Sequence, residues 1–351
     1  MDRRSILICA VPLLFAPLAV ASRRRTRSAG EPVATALVQI IDRAGSLEPL
    51  ETMIVAQQGE ILAERGYRGH SLTTPTNIKS VSKAVISALV GIAIDKGLLE
   101  GTQQKIAPLL EAELPPNPDR RLGQITIGHL LSMQAGLERT SGTNYGRWVS
   151  SANWVRAVLA QPFVDDPGGQ MLYSTGSTHL LSAILTRRSG RSTLQLARDW
   201  LGSLEAFSIA AWERDPQGIY LGGNQMAMSP KSLLAFGELY RNAGRTAQGR
   251  PVISPAWIEQ SWRLRTYSRF TGDGYGYGWF QRQAGAHTVH YAYGYGGQML
   301  YVVPSLELSV VMTSDEKTPA GRSGHRSALH RLLEEIVAAV QAPAGGSATA
   351  A

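Results

Sequence analysis

The stretch "SVSKAVISALVGIAIDKG", residues 80–97, is apolar at nearly every position between Lys83 and Asp95. A helix that is apolar all round belongs in a core. Gly97 closes it, and the turn-rich "SLTTPTN" (71–77) precedes it. The groups at its start are therefore carried towards the interior. Ser80 and Lys83 are three apart, so on a helix they share a face. The backbone N–H of Ser80 falls in the first turn, where amides lack intrahelical partners and can receive an oxyanion. Desolvation of Lys83 would lower its pKa and make it a base. The alternative is a serine cap followed by a surface lysine, and this stretch alone leaves both open. Ser82 has Val85 three residues on, and Lys79 cannot share the face of Ser80. A second Ser-x-x-Lys, Ser314 and Lys317, is flanked by Asp315 and Glu316 and reads as a solvated turn.

Two further segments bear on the choice. In "PGGQMLYSTGSTHLLSAIL" (167–185), Tyr173 follows a glycine-rich turn and precedes a new apolar helix. A phenol beside a lysine can shuttle a proton between nucleophile and leaving group. "HYAYGYGGQMLYVVP" (290–304) is a glycine-rich strand, and glycine permits close backbone approach to a substrate.

The rest of the chain frames these segments. "PVATALVQIIDRAG" is an amphipathic helix, and "ETMIVAQQGEILAERGY" is a hairpin around Gln58-Gly59. Residues 98–250 read as mostly helical with Pro/Gly-rich loops. Strands return from Tyr275, and "SGHRSALHRLLEEIVAAVQ" is a last helix. The expected fold is α+β. One antiparallel sheet from both chain ends (31–97 with 251–341) is flanked by helices, with an all-helical lobe (98–250) inserted. The active site is expected in the cleft between them.

Ser80-Val81-Ser82-Lys83, Tyr173-Ser174-Thr175 and Ala292-Tyr293-Gly294, in this order, resemble the three motifs of the serine β-lactamase/penicillin-binding-protein superfamily. "ITIGHLLSMQAGLE" (125–138) resembles the segment between the first two motifs in its class C-like branch. "YSTGSTHLLSAIL" and "YGYGGQMLYVVP" are similar to 6-aminohexanoate-oligomer hydrolases and related esterases within that branch. The likeness runs from about residue 50 to 335. It implies a β-lactamase/transpeptidase-like fold and two-step acyl transfer without a cofactor or metal. It further implies Ser80 as nucleophile, Lys83 as its activator and Tyr173 as proton-transfer partner. The oxyanion hole would be the backbone N–H groups of Ser80 and Tyr295.

Two departures shape the expected substrate. The second motif usually ends in asparagine, and Thr175 stands here. The third begins with lysine or histidine in relatives, and Ala292 stands here, so a β-lactam loses an ion pair worth about 1–3 kcal/mol. His290 lies two residues earlier on the same strand face; it is read either as a substitute cation or as a packed histidine. The expected activity is cleavage of a carboxylic ester or amide. The alternatives are a class C-like β-lactamase or D-alanyl-D-alanine peptidase and, further off, a non-catalytic penicillin-binding-like surface protein. Thr175, Tyr293, Gly294, Tyr145 and Trp148 are expected to meet substrate, the last two from "GTNYGRW". His129 and His179 sit in apolar runs and are expected to be structural. No Gly-x-Ser-x-Gly is complete, which argues against an α/β-hydrolase.

The bulk properties agree. The 351 residues are 44% hydrophobic and 18% charged, enough for a real core. The net charge of +8 is concentrated in Arg23, Arg24, Arg25 and Arg27, and no basic stripe with aromatics points to nucleic acid. "MDRRSILICAVPLLFAPLAVA" (1–21) reads as an export signal, with Arg3-Arg4 fitting a twin-arginine route, so a periplasmic or extracellular location without stable membrane insertion is expected. The one cysteine, Cys9, lies in that segment, so the mature chain would have no disulfide or thiolate chemistry. Residues 342–351 are expected to be disordered. Nothing in the sequence indicates oligomeric state.

Overall fold

In the computed structural model, which describes residues 31–321 and 323–341, Gln58 and Gly59 both take positive φ, 55° and 87°. Two successive left-handed residues make a tight hairpin turn whose twist suits the strands it joins. Across it β1 (Leu50–Gln57) and β2 (Glu60–Gly66) pair antiparallel. The expected signal (1–21, with Cys9) and tail (342–351) lie outside the described residues.

Six strands from the chain's second half extend this hairpin: β6 (Thr266–Tyr267), β7 (Gly274–Tyr275), β8 (Phe280–Ala284), β9 (His287–Gly294), β10 (Gln298–Val303) and β11 (Leu308–Ser314). The order is β2-β1-β11-β10-β9-β8-β7-β6, every pairing antiparallel, with Val55 opposite Val310 where the two chain ends meet. The sheet is thus built from both ends of the chain, as the sequence implied. Side chains alternate between its faces. Val55, Tyr291, Met299, Tyr301 and Val310 pack with Leu37 and Ile41 of α1 (Glu31–Ala44) and Leu329, Leu333 and Ile336 of α10 (His325–Gln341). Ile54, Ala292, Leu300, Val302 and Val311 face the other way, into the larger core around α2 (Ser82–Asp95). With both faces covered, every residue of β10 and β11 is buried.

The segment between the sheet's two parts holds α3 (Ile127–Leu131), α4 (Tyr145–Val149), α5 (Trp154–Leu159), α6 (Thr175–Ser189), α7 (Thr193–Leu201) and α8 (Pro230–Arg241), with α9 (Pro255–Trp262) following. α8, within the stretch read as the inserted helical lobe, lies on the sheet against β10 and β11. Gly237 permits this: a Cβ there would stand 2.6 Å from Leu300 Cδ1. A small sheet of β3 (Thr76–Asn77), β4 (Ala211–Trp212) and β5 (Met226–Met228), in the order β3-β5-β4, was not foreseen. It ties the approach to Ser80 to a distant loop: Ile78 N–H donates to Met226 O at 2.9 Å and Asn77 Nδ2 to Gln225 Oε1 at 2.6 Å. No described helix is long and apolar enough to cross a membrane.

Candidate active site

Ser80 does not open the long helix directly. It sits in a 3-10 turn, Lys79–Val81, and α2 begins at Ser82. The reason is Lys79, whose φ is +50°, a conformation a non-glycine residue rarely takes. The surroundings hold it there. Asn77 Oδ1 accepts the Lys79 N–H at 3.0 Å, and Ser82 Oγ donates to Lys79 O at 2.7 Å. Gly294, at the end of β9, seats the same turn: a Cβ there would stand 2.4 Å from Ile78 O. The bent backbone lifts Ser80 into the cleft while its neighbours Val81 and Ser82 are buried. The side chain of Lys79 pairs with Glu316 at 3.0 Å, and both line the wall of the cleft.

Lys83 is 1% exposed, and its Nζ has three partners. Ser80 Oγ is at 3.0 Å, Thr175 Oγ1 at 3.2 Å and Gly223 O at 2.7 Å. Burial lowers its pKa to about 7, with no carboxylate contributing. Tyr173 shares a hydrogen bond with Ser80, and burial pushes its phenol well above the ordinary value. Its ring stacks on Phe280 with centroids 6.1 Å apart and lies 5.0 Å from Lys83 Nζ, so the amine meets the ring face. The Ser80 hydroxyl, the Lys83 amine and the Tyr173 phenol thus converge from the turn before α2, α2 itself and the segment before α6.

Ser80 and Tyr173 line a cavity of about 540 Å³, with Lys83 buried behind them. Thr175, Tyr145, Tyr293 and Tyr295 line it as well. Tyr145 accepts from Asn224 Nδ2 at 3.0 Å, and Tyr295 lies in the turn after β9. Gly294 is beneath, serving the turn. Trp148 is not part of the cavity: it is 3% exposed, donates from Nε1 to Trp154 O at 3.0 Å and stands against His179. His290 is not a substitute cation either. It stacks on Trp262 at 4.3 Å, and burial lowers its pKa to about 4. Ala292 is buried in the core. His179 is buried against Asp215 at 3.1 Å, and His129 completes a capping box with Thr126. Ser314, expected in a solvated turn, is wholly buried at the end of β11, with His325 Nε2 at 2.9 Å, while Lys317 is exposed.

Four contributors went unseen in the sequence. Gly223 brings its carbonyl to Lys83. Ser141 bonds Thr175 twice, its Oγ accepting the Thr175 N–H at 2.8 Å and lying 3.0 Å from Thr175 Oγ1. Arg139 lies 5.0 Å from the Phe270 ring centroid, joining the helical side of the mouth to the loop after β6. Arg326, on α10, lies 5.7 Å from the Tyr293 ring centroid and makes no ion pair with a carboxylate among the described residues. Among those residues no group of three or more His, Cys, Asp or Glu is placed to hold a metal ion.

The chain belongs to the beta-lactamase family, whose profile matches residues 51–335. It is 23% identical over 267 residues to the 6-aminohexanoate-dimer hydrolase of Paenarthrobacter ureafaciens, covering 69% of this chain and 66% of that one. It is 33% identical over 144 residues to the fimbrial assembly protein FimD, serogroup H1, of Dichelobacter nodosus, covering 39% and 36%. The chain thus spans less than two thirds of the length of either relative. Among solved structures, EstCE1, a hydrolase with promiscuous acyltransferase activity, superposes with a TM-score of 0.69 at 18% identity, over 90% of this chain and 99% of that one.

Proposed function

We propose that this chain is a serine hydrolase that cleaves a small carboxylic ester or amide through an acyl-enzyme on Ser80. The observation that carries the reading is the contact of the buried Lys83 Nζ with Ser80 Oγ at 3.0 Å. An amine whose pKa is lowered to about 7 is substantially neutral at neutral pH. It then gives two N–H groups to Gly223 O and Thr175 Oγ1 and keeps one lone pair for the Ser80 proton. As Ser80 Oγ bonds the carbonyl carbon, Lys83 takes that proton. The backbone N–H groups of Ser80 and Tyr295 face the developing oxyanion. Tyr173, held neutral by burial and hydrogen-bonded to Ser80, assists as that proton leaves Ser80 Oγ, and the proton taken by Lys83 passes on to the departing alcohol or amine. Water then releases the acyl group by the reverse sequence. The names of the aminohexanoate-dimer hydrolase and of EstCE1 support a hydrolase. The buried Ala292 supports an ester or amide over a β-lactam.

A β-lactamase or D-alanyl-D-alanine peptidase is the second reading, favoured by Arg326, which offers the cleft a cation from another element. One assay separates them. A fluorophosphonate is expected to label the protein at Ser80 and not Ser80→Ala, and p-nitrophenyl butyrate to turn over faster than nitrocefin. Absence of labelling sinks the hydrolase; faster nitrocefin turnover reverses the ranking.

We also propose export to the periplasm or beyond, supported by the charged start and apolar run of residues 1–21. N-terminal sequencing of the chain from its host's envelope fraction is expected to begin close after Ala21. An uncleaved cytoplasmic chain would refute export.

A further inference from the structure

We propose that Thr175 and Ser141 form a hydroxyl relay that carries a proton between the buried Lys83 amine and the open cleft, serving Lys83 while Ser80 is acylated. The inference rests on the reading of Ser80 as nucleophile and Lys83 as base. It begins from what each partner of Lys83 can do. Gly223 O accepts only and cannot pass a proton on. Ser80 Oγ becomes an ester oxygen on acylation and loses its hydrogen. Tyr173 presents its ring face to the amine, and its hydroxyl bonds Ser80, so it reaches Lys83 through the group that acylation consumes. That leaves the Thr175 hydroxyl, the one partner able both to accept from Lys83 and to donate onward.

The onward partner is in place. Thr175 is 3% exposed, so it meets the cavity with very little of its surface. Ser141 Oγ stands 3.0 Å from Thr175 Oγ1, is partly exposed and lines the cavity. Ser141 Oγ also accepts the Thr175 N–H, which fixes the pair in register; when Thr175 donates across the hydroxyl contact, the Ser141 O–H is free to turn towards the cavity. No carboxylate and no second cation faces Lys83 Nζ from the turn before α2, from α6 or from the 222–225 loop. Asparagine, usual in the resembling motif, offers an amide in place of this hydroxyl.

The step balances. In acylation the Ser80 proton moves to Lys83 as the Oγ–carbonyl bond forms. Lys83 then gives a proton to Thr175 Oγ1, Thr175 gives its own to Ser141 Oγ, and Ser141 gives its own to the departing alkoxide or amine. Lys83 ends neutral and both hydroxyls are restored. In deacylation a cleft water bonds the acyl carbon and gives a proton to Ser141, Thr175 passes one to Lys83, and Lys83 gives one to the departing Ser80 Oγ.

The test separates turnover from nucleophile activation in the purified chain. Fluorophosphonate labelling expels fluoride, which needs no proton, so its rate reports Ser80 and Lys83 alone. Ser141→Ala is expected to lower kcat for p-nitrophenyl butyrate about 10- to 100-fold through deacylation, since p-nitrophenolate also leaves without a proton. Labelling should fall by less than about threefold, with a changed solvent deuterium isotope effect on kcat. Thr175→Val should do the same, and Thr175→Ser should recover most of the loss. Turnover of Ser141→Ala within about twofold of the parent, with an unchanged isotope effect, overturns the relay. Labelling lost in step with turnover also overturns it, since Ser141 would then only hold Lys83 in place. Failure of the parent protein to label would be the failure of the hydrolase reading itself.

Discussion

Lys83→Met is expected to lower ester turnover by about 10³-fold or more while making the protein harder to unfold in urea. The two effects share one cause. Lys83 is buried without a counter-ion, and that burial lowers its pKa from 10.5 to about 7. A folded-state pKa below the unfolded value means that the unfolded chain binds more protons between about pH 7 and 10.5. Stability therefore rises with pH across that window, and the shift corresponds to about 5 kcal/mol withheld at pH 7 and below. Methionine fills similar volume without a charge. It leaves Gly223 O and the Thr175 hydroxyl short of a donor, which costs about 1–3 kcal/mol. The net expected gain at pH 7 is about 2–4 kcal/mol, and the pH slope of stability above 7 should disappear. In the parent, kcat/KM should fall about tenfold per pH unit below 7, as the amine takes the proton that it must leave vacant for Ser80. Urea titrations at pH 6, 7 and 9, beside ester assays, measure all of this. A variant that is inactive and destabilised by several kcal/mol would show that Lys83 holds the fold as a charged group.

The parts of the site that could be read in the sequence are those fixed by local periodicity. α2 is apolar on every side, so its position in the core, and with it the face shared by Ser80 and Lys83, follows from composition and spacing. The sheet was legible for the same reason: long two-sided strands such as β10 and β11 are near-continuous apolar runs, and Gln58-Gly59 marks a turn. What was hidden depends on chain crossings too short to leave a pattern. Gly223 reaches Lys83 because β5, three residues long, pairs with β3, two residues long. Ser141 reaches Thr175 from a loop with no periodicity. The glycines around Trp148 suggest a substrate contact, yet α4 is a single short helix, and hydrogen bonding to Trp154 O turns the indole inward. His290 shares the strand face of Ala292, as read, and that face is core, where Trp262 covers it. The strained Lys79 carries no signal in its own identity; its conformation is set by Asn77 and by Gly294, more than two hundred residues later.

Gly223→Ala is expected to cost about 2–4 kcal/mol of stability and at least about 100-fold in turnover, although it adds one methyl group outside the reacting atoms. Gly223 has φ of +89°, where an alanine is strained. Its Cβ would stand 2.3 Å from Thr178 Oγ1 and 2.7 Å from Lys83 Cγ. Neither neighbour can yield cheaply. Thr178 Oγ1 donates to Thr175 O at 3.0 Å and Gly222 O at 2.9 Å, and Lys83 is held at its tip by three partners. Relief must come from moving the loop carbonyl off Lys83 or moving Lys83 off Ser80, and both disturb a contact that works only near 3 Å. Gly218→Ala is the matched control. Its φ is +84°, but a Cβ there meets nothing within 4 Å, so it carries the backbone strain without the crowding. It should cost about 1 kcal/mol and leave turnover unchanged. If Gly223→Ala loses no more stability than Gly218→Ala and keeps turnover within about threefold of the parent, close packing of this loop is not what positions Lys83.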